Sequence, residues 1–147
     1  MSHIGHLLAD NSRLARRAFD ERVRADGVTG PQARLLLMIE RSPGENQGHY
    51  ADLLDVEPIT LCRMVDRLED AGLVERRPDP NDRRARRLHL TDKSRAKLAR
   101  LRDRLDTMVD EILTGLSVAE QVAFARLLTV VRSNLGAQRD QERIAHG

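Results

Sequence analysis

Apolar residues recur at helical spacing along most of the chain. From about 4 to 25 they fall at Ile4, Leu7, Leu8, Leu14, Ala15, Ala18, Phe19 and Val23, one face of an amphipathic helix that Gly27 ends. Thr29-Gly30-Pro31-Gln32 opens a second helix, with Thr29 and Gln32 spaced as a capping box. Leu35, Leu36, Leu37, Met38 and Ile39 make that helix apolar almost all round, which predicts the buried centre of the fold. Ser42-Pro43-Gly44 breaks it, and residues 47–54 form a short third helix.

A different pattern occupies residues 51–91. Val56-Glu57-Pro58 suits a helix start, because proline's missing N–H would have no partner in a first turn. From Ile59 the apolar positions continue at Leu61, Met64, Val65 and Leu68, and the opposite side carries Thr60, Arg63, Asp66, Arg67 and Asp70. Gly72 supplies a left-handed cap, and Leu73 and Val74 begin a strand-like run to Arg77. Pro78-Asp79-Pro80-Asn81-Asp82 is turn chemistry, Leu88-His89-Leu90 alternates as a half-buried strand does, and Thr91-Asp92 is set as the N-cap and first turn of a new helix. Six arginines stand between positions 76 and 87. Helix, turn, helix, strand, arginine-rich loop, strand is the layout of a winged helix-turn-helix, whose second helix enters the DNA major groove beside a charged hairpin.

Beyond the hairpin a long helix is expected from about Asp92 to Thr114, striped by Leu98, Leu101, Leu105, Met108, Val109, Ile112 and Leu113. Ser117 and Glu120 form a second capping box. A last helix follows to about Leu135 through Val122, Ala125, Leu128 and Val131, and the polar tail 136–147 is expected to fray. The fold class is therefore mainly α with a small β-hairpin wing. One domain, 1–147, holds a DNA-binding lobe at about 29–91. The terminal helices, about 1–28 and 92–136, carry more apolar surface than such a lobe can bury, which predicts a homodimer built from them.

Residues 56–74 and the run Asp82-Arg83-Arg84-Ala85-Arg86-Arg87-Leu88-His89-Leu90-Thr91 resemble the MarR family of bacterial transcription regulators, most of all its SlyA-type branch. That family's wing carries Asp-x-Arg ahead of Leu-Thr, matched here by Asp82-x-Arg84 and Leu90-Thr91. The resemblance implies a triangular homodimer on double-stranded DNA. It also implies a pocket for a small aromatic or carboxylate effector between the first two helices and the DNA-binding lobe, faced by Arg13, Ala33 and Leu37.

Charge supports the same reading. The net charge is only +2, yet residues 74–104 hold twelve Arg and Lys against five Asp and Glu, a local +7 that leaves −5 for the rest. Such asymmetry points to a polyanion on one face. The expected DNA-binding residues are Pro58, Thr60, Arg63, Asp66 and Arg67 on the helix and Asp82, Arg83, Arg84 and Arg86 on the wing. Arg63 suits the O6 and N7 of guanine, against the alternative of a solvated surface arginine; the neighbouring wing favours contact. Arg84 matches the family's wing-tip arginine in the minor groove, with Asp82 orienting an arginine, and Arg83 and Arg86 suit phosphates.

The remaining chemistry is sparse. Cys62 is the one cysteine, so no intramolecular disulfide forms, and mid-helix beside Leu61 it suits apolar packing better than redox sensing. His3, His6, His49, His89 and His146 lack the clustering of a metal site, and no cofactor is expected. No glycine-rich phosphate loop, paired carboxylates or nucleophile–histidine pattern suggests an enzyme. No signal peptide or bilayer-length apolar run is present, so a reducing cytoplasm is expected. The reading is an operator-binding regulator. The alternative is a non-specific architectural DNA-binding protein.

Overall fold

The computed structural model describes residues 2–147. Helix α1 (Ser2–Val23) runs into a single 3-10 turn (Arg24–Asp26) that Gly27 closes at φ 75°. Then come α2 (Gly30–Arg41), α3 (Gln47–Leu54), α4 (Pro58–Asp70), strands β1 (Val74–Pro78) and β2 (Arg86–Leu90), α5 (Ser94–Ile112) and α6 (Val118–Ala145). No described helix is long and apolar enough to cross a membrane. The chain divides within α5 into two units that meet at Met108 and Val109.

Local chemistry accounts for the helix starts. The Gln32 N–H donates to the Thr29 hydroxyl at 3.3 Å and the Thr29 N–H to the Gln32 side chain at 3.1 Å, the expected capping box. The Asn46 side chain accepts from the His49 N–H at 2.9 Å to start α3. Asp55 ends α3 in the left-handed region at φ 53°, a conformation aspartate tolerates better than most residues. That residue turns the chain into α4, where Pro58 occupies the first turn.

The core of the first unit is built from Val23, Leu35, Leu36, Ile39, Tyr50, Leu61, Val65, Leu68, Val74, Leu88, Leu98 and Leu101, with Ala33 and Met108 also buried. Full burial of each such Leu or Ile contributes roughly 1.5–3 kcal/mol, so α2 anchors the unit, in keeping with its all-round apolarity. The hairpin pairs antiparallel, Val74 opposite Leu90 through Pro78 opposite Arg86. Residues 44–46 lie along its other edge: the Gly44 N–H donates to Leu88 O at 2.9 Å and the Leu88 N–H to Glu45 O at 3.0 Å.

Three expectations change. Ile59 does not join the apolar stripe of α4; it lies 200° round the helix from Leu61 at 100° per residue, and is exposed. Thr91 does not cap α5, which starts at Ser94. Its hydroxyl donates to Gly72 O at 2.5 Å and its N–H to Leu73 O at 3.2 Å, so the strand register consumes it. The tail does not fray after Leu135, because α6 continues through Gly136 to Ala145. The run Gln138 to Arg143 contains no breaker and is rich in helix-forming Gln, Arg and Glu.

In the second unit, Ser117 and Glu120 close their capping box at 3.2 and 2.7 Å. No described residue of α6 is buried within the chain. Val118, Val122, Leu128, Val131 and Leu135 are all exposed, as are Ile4, Leu7, Leu8 and Leu14 on α1.

Candidate nucleic-acid interface

Helix α4 is held by its buried face, Leu61, Val65 and Leu68, and therefore presents Pro58, Ile59, Thr60, Arg63 and Arg67 outward. Among the described residues the guanidinium groups of Arg63 and Arg67 make no hydrogen bond or ion pair within the chain. Asp66 differs from them. Its carboxylate pairs with Arg76 Nη2 at 2.6 Å, so it is engaged in holding β1 to α4.

Arg76 joins three elements. Its Nε donates to the Gln47 side chain on α3 at 2.8 Å, its Nη1 to Glu69 at 3.2 Å, and its Nη2 to the Cys62 carbonyl at 3.1 Å as well as to Asp66. Burial works against its charge, yet Asp66 and Glu69 outweigh that and raise its pKa above the ordinary guanidinium value. A second lock lies at the end of α4, where Lys93 Nζ donates to Ala71 O at 2.9 Å. By sequence pattern Arg76 is one more wing arginine. Its partners lie 7 to 29 residues away on other elements, α3 and α4, so only the folded chain distinguishes it.

The wing arginines fall into two groups. Arg76, Arg77 and Arg87 are neutralised by Asp66 and Glu69, by Glu75, and by Asp79 at 3.1 Å respectively. Arg83, Arg84 and Arg86 face no carboxylate partner among the described residues. Arg86 Nη1 donates to the Arg83 and Ala85 carbonyls, both at 3.1 Å, which curls the side chain over the wing tip with its charge intact. Asp82 orients Arg84 through the backbone: its Oδ1 accepts the Arg84 N–H at 2.9 Å. Asp79 Oδ1 accepts the Asn81 N–H at 2.8 Å; that bond and Arg87 hold its carboxyl below the usual range. The acids thus set the backbone of the tip and leave three cations outside it.

The residues expected at an effector site are not gathered in one cavity. Arg13 lines a cleft of about 580 Å³ along α1 with Arg16, Arg17 and Arg24, and pairs with Asp10 at 3.4 Å. Leu37 lines another of about 620 Å³ between α2 and α5 with Arg34, Met38, Arg41, Arg102 and Leu105. Ala33 is fully buried in the core. Cys62 is half-buried, with Arg76 Nη2 at 3.7 Å from its Sγ. No cluster of three or more metal-ligating side chains occurs among the described residues.

A helix-turn-helix with an outward row of free cations, flanked by a hairpin whose tip carries three arginines without ion-pair partners among the described residues, defines a DNA-binding protein of the winged helix class. Residues 26–85 match the MarR family. The chain is 32% identical to the transcriptional regulator PA3341, over 91% of this chain and 98% of that one, with a TM-score of 0.80. It is 31% identical to the transcriptional repressor CouR in a structure bound to a 23-mer DNA duplex, over 87% of this chain and 91% of that one, TM-score 0.74. It is 26% identical to a cysteine-to-serine mutant of E. coli MarR complexed with operator DNA, over 87% of this chain and 92% of that one, TM-score 0.73. The chain belongs to the MarR family of transcriptional regulators.

Proposed function

We propose that this regulator binds a pseudo-palindromic operator as a homodimer. The observation that carries the reading is the division of the arginines: Arg63 and Arg67 on α4 and Arg83, Arg84 and Arg86 on the wing have no internal counter-charge, while Arg76, Arg77 and Arg87 are spent on the scaffold. Arg63, with Thr60 beside it at the N-terminal end of α4, reads base edges in the major groove. Pro58 fixes where that end begins. Arg84 enters the adjacent minor groove, and Arg67, Arg83 and Arg86 meet phosphates. Asp66 holds Arg76, and through it the hairpin, against α4, and Asp82 holds the backbone of Arg84; neither touches bases. The exposed apolar faces of α1 and α6 support dimerisation, since free apolar patches of that extent are costly in water. The Asp82-x-Arg84 and Leu90-Thr91 wing sequence supports a DNA-reading wing of the family's kind. The SlyA-type branch rests on the resemblance of residues 56–74 and 82–91 alone, and we take the cytoplasm as the place of its work on DNA.

For the effector we favour the cleft at Leu37. Its Leu37, Met38 and Leu105 suit an aromatic ring and Arg41 a carboxylate. Release follows if the ligand prefers a lobe spacing that mismatches the operator, and it can shift that equilibrium only by its differential affinity for the two states.

The test is selection from random-sequence DNA with the full chain. The expected result is a two-fold symmetric motif with half-sites about 10 base pairs apart, ~34 Å along the duplex. Uniform affinity for all sequences favours the architectural alternative.

A further inference from the structure

Ile59 stands apart from the other apolar residues of α4. Leu61, Val65 and Leu68 are buried and Met64 packs against the core, whereas Ile59 is 60% exposed and belongs to neither the core cluster nor its apolar rim. It is the second residue of the helix, next to Thr60 and four residues before Arg63. Residues so spaced share a helix face, with Cβ atoms about 5–6 Å apart. An isoleucine here leaves most of its branched side chain in water, an unfavourable exposure that the internal packing does not relieve.

The major groove offers one apolar group, the C5 methyl of thymine. A recognition helix meets base edges through its N-terminal residues, and Ile59 lies in that turn on the face of the base-reading arginine. We infer that Ile59 is a specificity-determining residue that packs against a thymine methyl group, adding a thymine-over-cytosine preference to the guanine preference of Arg63. The inference rests on the operator-binding reading above. Because stacked bases rise about 3.4 Å per step, the thymine lies within about two base pairs of the guanine.

The experiment uses the full chain and the duplex enriched from random DNA. Each thymine is replaced in turn by deoxyuridine, which removes only the methyl, and affinity is measured for wild type, Ile59→Ala, Ile59→Val and Arg63→Ala. At one thymine per half-site, near the guanine whose identity matters to wild type but not to Arg63→Ala, deoxyuridine should lower wild-type affinity about fourfold, the effect of one buried methyl group. Ile59→Ala should bind the two duplexes equally. Ile59→Val should retain part of the ratio, and Arg63→Ala should retain it. Unchanged thermal unfolding of Ile59→Ala shows that the substitution acts on methyl packing and not on the fold; if Ile59→Ala unfolds, Ile59→Val decides alone. A ratio that is the same in wild type and in the folded Ile59 variants overturns the inference while leaving Arg63-dependent operator binding intact. If no sequence is enriched at all, the operator reading fails and this inference falls with it.

Discussion

Arginines of one chemical type divide here into a paired set and an unpaired set, and the acids decide which side chain falls in which. Arg63 has an exposed position and no counter-ion, so its removal should act on binding and hardly on folding. Arg63→Ala should cost about 1–3 kcal/mol per half-site on the operator and flatten the preference at one base position. Arg83→Ala or Arg86→Ala should weaken all DNA sequences alike and make the salt dependence shallower, by about 0.9 in slope for each phosphate no longer neutralised. Arg84→Ala should weaken binding too, less so where flanking A·T pairs are replaced by G·C, because a wider groove attracts the cation less. One titration series across operator, mutated operator and random DNA at several salt concentrations checks all three. Equal weakening of every DNA by Arg63→Ala would contradict base reading.

The relation between helix and hairpin depends on Arg76. Its side chain is only 17% exposed, and Asp66 with Glu69 hold it, and with it β1, against α4. Hydrogen bonds to charged groups contribute roughly 1.5–3 kcal/mol, so Arg76→Ala should destabilise the chain by about that much in a urea titration. Asp66→Asn should cost less, about 1 kcal/mol or under, since that carboxylate is half exposed. Both variants should weaken operator binding more than binding to random DNA, because a misaimed wing still meets phosphate. A variant that unfolds normally and binds normally would remove Arg76 from this role. A second junction lies behind the lobe, where Asp26, with its side chain 4% exposed, accepts from Arg104 and Arg100 while Lys97 Nζ donates to its carbonyl at 2.7 Å. The Arg104 hydrogen bond first, then the neighbouring charges, hold the Asp26 carboxyl below its ordinary value despite burial. A depressed carboxylate stabilises the fold above its unfolded pKa, and that stabilisation disappears as pH falls through the folded pKa. Asp26→Asn should therefore lower stability by roughly 1.5–3 kcal/mol at pH 7, with wild type and variant converging in acid below the usual aspartate range. A constant difference down to about pH 2 would contradict the linkage.

Over the whole molecule, the proposed dimer rests on the exposed apolar residues of α1 and of α6. Sedimentation at micromolar concentration should give about twice the 16.6 kDa chain mass. Leu128→Glu combined with Val131→Glu, both exposed within the chain, should yield monomers and weaken operator binding by removing the second half-site. A folded wild-type monomer that binds its operator as tightly as proposed would refute the dimer.

Much of this architecture is legible in one dimension because its causes are local. The capping pairs Thr29–Gln32 and Ser117–Glu120, the proline at the start of α4, Gly72 and the strand at residues 88–90 have causes within a few residues, and each appears where the pattern places it, although His89 and Leu90 are both half-buried and do not alternate. The start of α5, the length of α6 and the direction of Ile59 are not legible in that way. Thr91 bonds to Gly72 across the hairpin, helix continuation needs no apolar stripe, and hydrophobicity alone does not fix a side chain's azimuth. The sequence by itself determined the order of elements and the excess of arginine around the wing. Only the tertiary structure decided which arginines remain free, since Asp66, Glu69, Gln47 and Asp79 meet theirs from other segments of the chain, which no pattern within one helix or strand encodes.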